Sequence, residues 1–352
     1  MALKAGIVKD WRYLNHDPGS FHPETPTRLK AIYELLEAPN VADAFEFIEP
    51  REATLEEIAL VHSKSYIQLV AGTAGKRHIS LDCDTVTSAE SYDVAKLAVG
   101  GLLNAVDLVV DRDVANAFAI VRPPGHHAEE DGAAGFCIFN NVAIAALHAI
   151  KKYRFKRVLI VDWDLHHGNG TQHSFYNDPR VLYFSTHQYP FYPGSGSIHE
   201  IGMGPGLGYT INVPLGGGPG DAEFLRIYRK ILDPVARAYK PDLVLLSAGF
   251  DIYMKDPMGG MNVTTRGFAQ LARVLLDIAD ECAKGRFAVT LEGGYHIDGQ
   301  AQSVKAVLRE MNDDTHASPE TLEAVEQDAD PAIDRVIRQV TEQIEPLWKI
   351  FQ

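Results

Sequence analysis

The sequence predicts an α/β protein built on one mainly parallel β-sheet with α-helices on both faces. Short apolar, β-branched runs alternate with segments of helical period from about residue 115 to 311. That alternation is the pattern of strand–helix crossovers. Several of these runs also turn polar abruptly at their carboxyl ends, which is where sites open in parallel sheets. A chain of 352 residues can bury a large core, and no Pro/Gly/Ser-rich linker divides it. Residues 1–352 therefore read as a single domain, with about 315–352 as a C-terminal helical extension.

Taken in order, Ala5–Val8 reads as the first strand and a polar loop follows. Thr25-Pro26 supplies an N-cap with proline at the first helical position, and Leu29, Ile32, Leu35 and Leu36 continue at helical spacing. Residues 54–61 and 64–72 read as short helices and Ser88–Val110 as a long one. His62, between the first two, reads as structural. Next come strand 115–121, helix 140–151, strand 157–163, helix 170–176, and strands 181–186 and 209–213. Helix 221–239, strand 242–248, helix 264–283, strand 286–292 and helix 299–311 complete the alternation. Asp330-Pro331 opens a tail helix with Ile333, Val336, Ile337, Val340 and Ile344 on one face. That stripe could pack on the parent domain or form the contact of a homo-oligomer. The loops Gly202–Gly208 and Gly216–Gly220 lack a GK[ST] ending, which argues against phosphate binding.

A net charge of −14 disfavours nucleic-acid or anionic-membrane surfaces and tolerates a cationic substrate. Cys83, Cys137 and Cys282 are widely spaced and cannot form a disulfide framework, so a reducing cytoplasm is expected. The first residues turn polar too quickly for a signal peptide, and no apolar stretch reaches transmembrane length.

The chemistry gathers at four strand ends. Val158-Leu-Ile-Val-Asp162-Trp-Asp164-Leu-His166 carries two carboxylates and an imidazole that strand alternation would place on one face. Burying them is costly without a cation, and the donors suit a borderline divalent ion, zinc first. Strand 115–121 runs into Arg122-Pro-Pro-Gly-His126-His127, strand 242–248 into Ser247-Ala-Gly-Phe-Asp251, and strand 286–292 into Leu291-Glu-Gly-Gly-Tyr295. Asp164, His166 and Asp251 would give a catalytic zinc its three protein ligands and leave a position open. His126 and His127 are candidate acid and base, and Tyr295 a candidate donor to an oxyanion.

These four motifs, with His22-Pro-Glu-Thr-Pro-Thr-Arg28, resemble the zinc-dependent histone deacetylase superfamily over about residues 5–311. The likeness is to its class II branch and to bacterial histone deacetylase-like amidohydrolases. The resemblance implies an arginase/deacetylase-like fold and a deacetylase that removes acetyl or other acyl groups from lysine ε-amines. It also implies one zinc per chain on Asp164, His166 and Asp251, tandem histidines at His126 and His127, and a catalytic Tyr295. Asp162 would orient His126, and Asn169 would orient His127. A neutral Asn partner leaves His127 uncharged near neutral pH, as a general base requires.

By the same resemblance, structural K+ or Na+ would sit at Asp162, Asp164, His166, Ser185 and Thr186, and again at Phe175, Asp178, Val181 and Tyr209. Gly135, Phe136 and Tyr192 would wall the lysine channel, and Ser88 would touch substrate at its rim. Arg28 would line an internal cavity behind the zinc. Met258 stands where the polyamine-preferring branch carries Glu, which favours acyl-lysine substrates over acetylpolyamines. An acetylpolyamine or other small acyl-amide hydrolase is the runner-up. An arginase would need a further Asp where Tyr253 stands, and a non-catalytic acyl-lysine binder would lack the tyrosine or a metal ligand.

Overall fold

A computed structural model of the protein describes residues 3–38, 41 and 43–351. Met1 and Ala2, part of the N-terminal stretch read above, lie outside the described residues. The strands are β1 (Gly6–Val8), β2 (Glu46–Ile48), β3 (Ile79–Ser80), β4 (Val86–Thr87), β5 (Ala117–Ala119), β6 (Val158–Asp162), β7 (Val181–Gln188), β8 (Thr210–Leu215), β9 (Leu243–Ala248) and β10 (Phe287–Leu291). β3 and β4 form a small antiparallel hairpin. The other eight make one sheet in the order β2-β1-β5-β10-β9-β6-β7-β8, with every neighbouring pair parallel.

Helices cover both faces, so the central strands β5, β6, β9 and β10 are buried along their whole length and read as unbroken apolar runs. Helices Ser91–Asp111 and Asn141–Tyr153 pack on one face. Thr265–Ala283 packs on the other, with Ile297–Met311 and Pro26–Leu36 against it in turn. The crossovers set β5, β10, β9 and β6 side by side. The carboxyl ends of the four chemically unusual strands are thereby contiguous.

Some elements differ from the sequence reading, each for a local reason. Helix Ser91–Asp111 starts after Ser88, because Ser91 Oγ accepts the Ser88 N–H at 2.7 Å and caps the turn before it. The 221–239 helix runs Asp221–Ile227, passes through a π-helical turn Tyr228–Leu232, and resumes over Asp233–Tyr239. Pro234, at the start of the last segment, has no N–H for the preceding turn, and the helix widens there. The edge strand β2, the β3–β4 hairpin and helix Pro319–Gln327 were not anticipated. β2 is Glu-Phe-Ile with two exposed side chains, so no apolar run announces it. The Pro319 helix does carry a sequence signal, a Ser318 cap with proline at its first position.

In the tail, helix Ile333–Trp348 buries Ile333, Val340 and Ile344 and packs along β8. Trp348 Nε1 donates to Gly208 O at 2.8 Å, closing the helix end onto the glycine loop before β8. Among the described residues, no helix is long and apolar enough to cross a membrane.

Candidate active site

β6 ends at Asp162, so Asp164 and His166 lie on the turn beyond it and not on the strand itself. Their common direction comes from hydrogen bonds instead of pleat alternation. Asp164 N donates to Asp162 Oδ1 at 3.1 Å, and His166 N donates to Asp164 Oδ1 at 2.9 Å. Asp251, just past β9, is drawn across by the Leu165 N–H, which reaches its Oδ1 at 2.9 Å. His166 Nδ1 then lies 3.1 Å from Asp164 Oδ1 and 3.2 Å from Asp251 Oδ2. One donor atom from each of these three buried residues falls within 4.8 Å of the others.

A divalent cation fits this donor set. Asp251 Oδ2 is buried and accepts no hydrogen bond among the described residues, a costly state unless an ion or proton takes it. Burial, with Asp164 adding to it, pushes the Asp251 carboxyl up to about 7. Burial also opposes ionisation of Asp164, but the His126 and His166 imidazoles hold it below the usual carboxylate range. Gly293 N donates to Asp164 Oδ2 at 2.9 Å, and a Cβ at Gly293 would run into the carboxylates of both Asp251 and Asp164. Backbone without a side chain is required at that point.

The tandem histidines sit beside this group on the loop after β5. His126 Nδ1 is 3.0 Å from Asp162 Oδ2, an oxygen that also accepts the Tyr183 hydroxyl at 2.9 Å. His127 Nδ1 is 2.7 Å from Asn169 Oδ1. Burial disfavours charge on both rings. For His126 the Asp162 and Asp164 carboxylates overcome it and push the pKa up to about 10. For His127 burial is reinforced by His126 and His166, and the pKa falls well below the ordinary imidazole value. The surroundings of the two adjacent imidazoles thus push them in opposite directions, His126 toward the cation and His127 toward the neutral ring.

A cavity of about 250 Å3 leads down to these rings, lined by Gly135, Phe136, Tyr192, Met258 and Tyr295 among others. Gly135 adopts φ +55°, and a Cβ there would strike the His127 ring, so the wall approaches that ring as closely as backbone can. Tyr192 meets His127 edge-on at 5.1 Å between centroids, and Phe191 stacks on His166 at 5.7 Å. Phe191 also lines the cavity and is a wall the sequence reading did not name.

Ser88 is not part of this lining. Its hydroxyl donates to the Asn15 carbonyl at 3.0 Å and accepts the Asp17 N–H at 3.1 Å. The unanticipated β3–β4 hairpin carries Asp84 into the lining instead, where it accepts the Gly135 N–H at 3.0 Å.

Two further carboxylates fix the loops. Asp256 accepts N–H groups from Tyr295 at 2.6 Å, His296 at 3.0 Å and Met258 at 2.9 Å, tying the tyrosine loop to the rim. Glu292, inside the Leu-Glu-Gly-Gly-Tyr motif, accepts from Gly125 N at 2.7 Å, His126 N at 3.2 Å and Ser247 Oγ at 2.9 Å. Burial pushes its pKa up to about 7. The sequence signal for Glu292 was a carboxylate at the end of a buried strand. Asp256, on a loop, gave none. Arg28, fully buried, donates to Gly294 O and Glu292 O, both at 2.6 Å, and its guanidinium lies over the Tyr295 ring at 4.9 Å. His62 donates from Nδ1 to Glu129 O and accepts the Asn140 N–H, both at 2.8 Å, and so holds loop to helix.

Of the residues read as cation sites, Asp162 and Ser185 are cross-strand partners on β6 and β7, and Thr186 Oγ1 is buried without a partner among the described residues. Near the start of β7, Asp178 N bonds Phe175 O at 2.9 Å and Val181 N bonds Asp178 O at 3.3 Å. Tyr209 O takes the Tyr183 N–H at 2.9 Å, and the Asp178 carboxylate pairs with Arg180 at 2.6 Å.

Residues 22–311 match the histone deacetylase domain. A probable deacetylase of Archaeoglobus fulgidus is 40% identical over 299 residues, covering 84% of this chain and 83% of that protein. Histone deacetylase HDA1 of Candida albicans is 41% identical over 344 residues, covering 87% of this chain and 40% of that one. The crystal structure of the HDA15 HD domain superposes with a TM-score of 0.91 at 35% identity, covering 99% of this chain and 98% of that one. The fold is that of a family of amide hydrolases. The chain belongs to the histone deacetylase family, whose members hydrolyse the amide of acetylated lysine. It spans most of the archaeal relative but less than half of the Candida one.

Proposed function

We propose that this protein removes acetyl or other acyl groups from the ε-amine of lysine in peptides or proteins, with one zinc ion held by Asp164, His166 and Asp251. The observation that carries the reading is the convergence of donor atoms from buried Asp164, His166 and Asp251, with Asp251 Oδ2 accepting no hydrogen bond among the described residues, next to a cavity whose lining includes His127, His166 and Tyr295. Zinc, when bound, polarises the amide carbonyl and favours ionisation of a water.

The chain's own residues account for the rest. His127 is neutral, with its Nδ1 proton held by Asn169, so its Nε2 lone pair is free to take a proton from the attacking water. The same nitrogen returns that proton to the leaving amine. His126, kept cationic by Asp162, supplies positive charge beside the developing oxyanion, and the Tyr295 hydroxyl donates to it. Gly135, Phe136 and Tyr192 grip the lysyl methylenes, and Met258 presents an apolar rim. Asp162, Asp164, His166, Ser185 and Thr186 would hold one structural K+ or Na+, and Phe175, Asp178, Val181 and Tyr209 would hold a second.

The chain acts as a single catalytic domain with residues 315–352 as a helical extension, in the cytoplasm, without nucleic-acid or membrane partners. Steady-state rates on matched panels of acyl-lysine peptides and acetylated polyamines test the substrate class. Higher kcat/KM on the peptides is expected. Preference for acetylspermidine would transfer the site to small acyl amides.

A further inference from the structure

His127 can serve as a base at Nε2 only if its proton sits on Nδ1, and that depends on which end of the Asn169 amide faces it. An amide turned the other way would offer N–H groups to Nδ1, and the proton would move to Nε2. Something must therefore hold Asn169 in one orientation. A carboxylate can do so, since it only accepts hydrogen bonds.

Such a carboxylate lies on the far side of the amide. Asn169 Nδ2 donates to Glu129 Oε1 at 2.6 Å, while Asn169 Oδ1 faces His127 Nδ1 at 2.7 Å. Reversing the amide would set its oxygen against the Glu129 carboxylate. Glu129 is itself fixed. Its N–H reaches Gly132 O at 2.8 Å, and its carbonyl accepts from His62 Nδ1 at 2.8 Å. Burial holds His62 down to about 4, so that ring stays neutral. Its Nε2 accepts the Asn140 N–H, which places its proton on the Nδ1 facing Glu129. The outer face of the Glu129 carboxylate is met by His173 Nδ1 at 2.8 and 3.1 Å, at the surface.

We propose that Glu129 is a positioning residue for the deacetylation step, selecting the tautomer of His127 through the Asn169 amide. The proposal rests on the reading of His127 as base. Glu129 belongs neither to the cavity lining nor to the Asp164–His166–Asp251 group, so it acts on turnover and leaves binding alone. The chain His173–Glu129–Asn169–His127 is a set of fixed donors and acceptors and passes no proton through the amide.

The test compares kcat and KM on one acetyl-lysine peptide, with thermal melts to establish that each variant is folded. Glu129→Ala should lower kcat by about 10–100-fold, the usual cost of losing such a support, with KM little changed. Glu129→Gln keeps an acceptor oxygen and should restore most of the rate. Glu129→Lys presents only donors, reverses the amide, and should be at least as impaired as the alanine variant. Adding Asn169→Asp to Glu129→Lys supplies a carboxylate that accepts from both the introduced ammonium and His127 Nδ1, and should raise the plateau kcat, read on the alkaline side of the pH–rate profile, relative to Glu129→Lys alone. A merely structural Glu129 would show no such rescue. A folded Glu129→Ala or Glu129→Lys variant with wild-type kcat, or a double variant whose plateau kcat above the acidic limb is no better than that of Glu129→Lys, overturns the proposal. His127→Ala is the control: if it turns over normally, the base reading itself falls, whereas an inactive His127→Ala beside a normal Glu129→Ala removes Glu129 alone.

Discussion

Replacing Asn169 by aspartate puts a charge directly on the candidate base. Asn169 Oδ1 lies 2.7 Å from His127 Nδ1, so the new carboxylate would contact the imidazolium edge. A unit charge about 4 Å from the ring's charge centre, at an effective dielectric of about 20, is worth about 4 kcal/mol. At about 1.36 kcal/mol per unit, that would raise the His127 pKa by about three units. The full shift is not expected, because Asn169 Nδ2 is 2.6 Å from Glu129 Oε1. Aspartate would face that carboxylate as a like charge, which raises its own pKa and weakens its effect. About one to two units should remain. In the wild type His127 is held well below the ordinary imidazole value, so its protonation limits the rate only at acidic pH. In Asn169→Asp the acidic limb of kcat/KM should move upward and the rate near neutral pH should fall. Adding Glu129→Gln removes the repulsion and should enlarge the shift. The assay is a pH–rate profile on one acetyl-lysine peptide, with circular dichroism to check the fold. An unmoved acidic limb in both variants would refute the assignment of His127 as the base paired to Asn169.

Other outcomes follow from the same geometry. Asp251→Ala removes one of the three donor residues and should lose both bound metal and activity, measured by elemental analysis and turnover; retention of one metal per chain with full activity would count against this ligand set. Tyr295→Phe keeps the ring that Arg28 covers and deletes one donor, so kcat should fall by about 10²–10³ while KM moves little. A near-normal kcat would make the tyrosine a channel wall only. Met258→Glu places a carboxylate on the cavity rim and should raise the relative kcat/KM for acetylspermidine by the roughly 0.2–1 kcal/mol of a partly exposed charge pair. No change in the ratio of the two substrates' efficiencies would show that this rim position does not set selectivity.

The sequence alone determined the class of fold and singled out most of the candidate site residues. Unbroken apolar runs such as Val158–Asp162 and Leu243–Ala248 mark strands covered on both faces, because only a parallel sheet between helix layers buries every side chain. The motifs at their ends named the metal-group residues and the histidines, since buried carboxylates and imidazoles require charged or polar partners wherever they fall. What the tertiary structure decided was adjacency and direction. Sheet order sets β5, β10, β9 and β6 side by side, a property of crossovers that no local pattern encodes. Asp164 and His166 converge through backbone hydrogen bonds on a turn, where alternation no longer applies. The hairpin that brings Asp84 to the cavity is two residues per strand, too short for a periodic signal. Glu129, Asp256 and Phe191 sit on loops, and their roles depend on what lies across a gap of a few ångströms from chain far off in sequence. Propensity and periodicity describe a residue's neighbours along the chain, while hydrogen-bond direction is fixed only once the partners from other elements are in place.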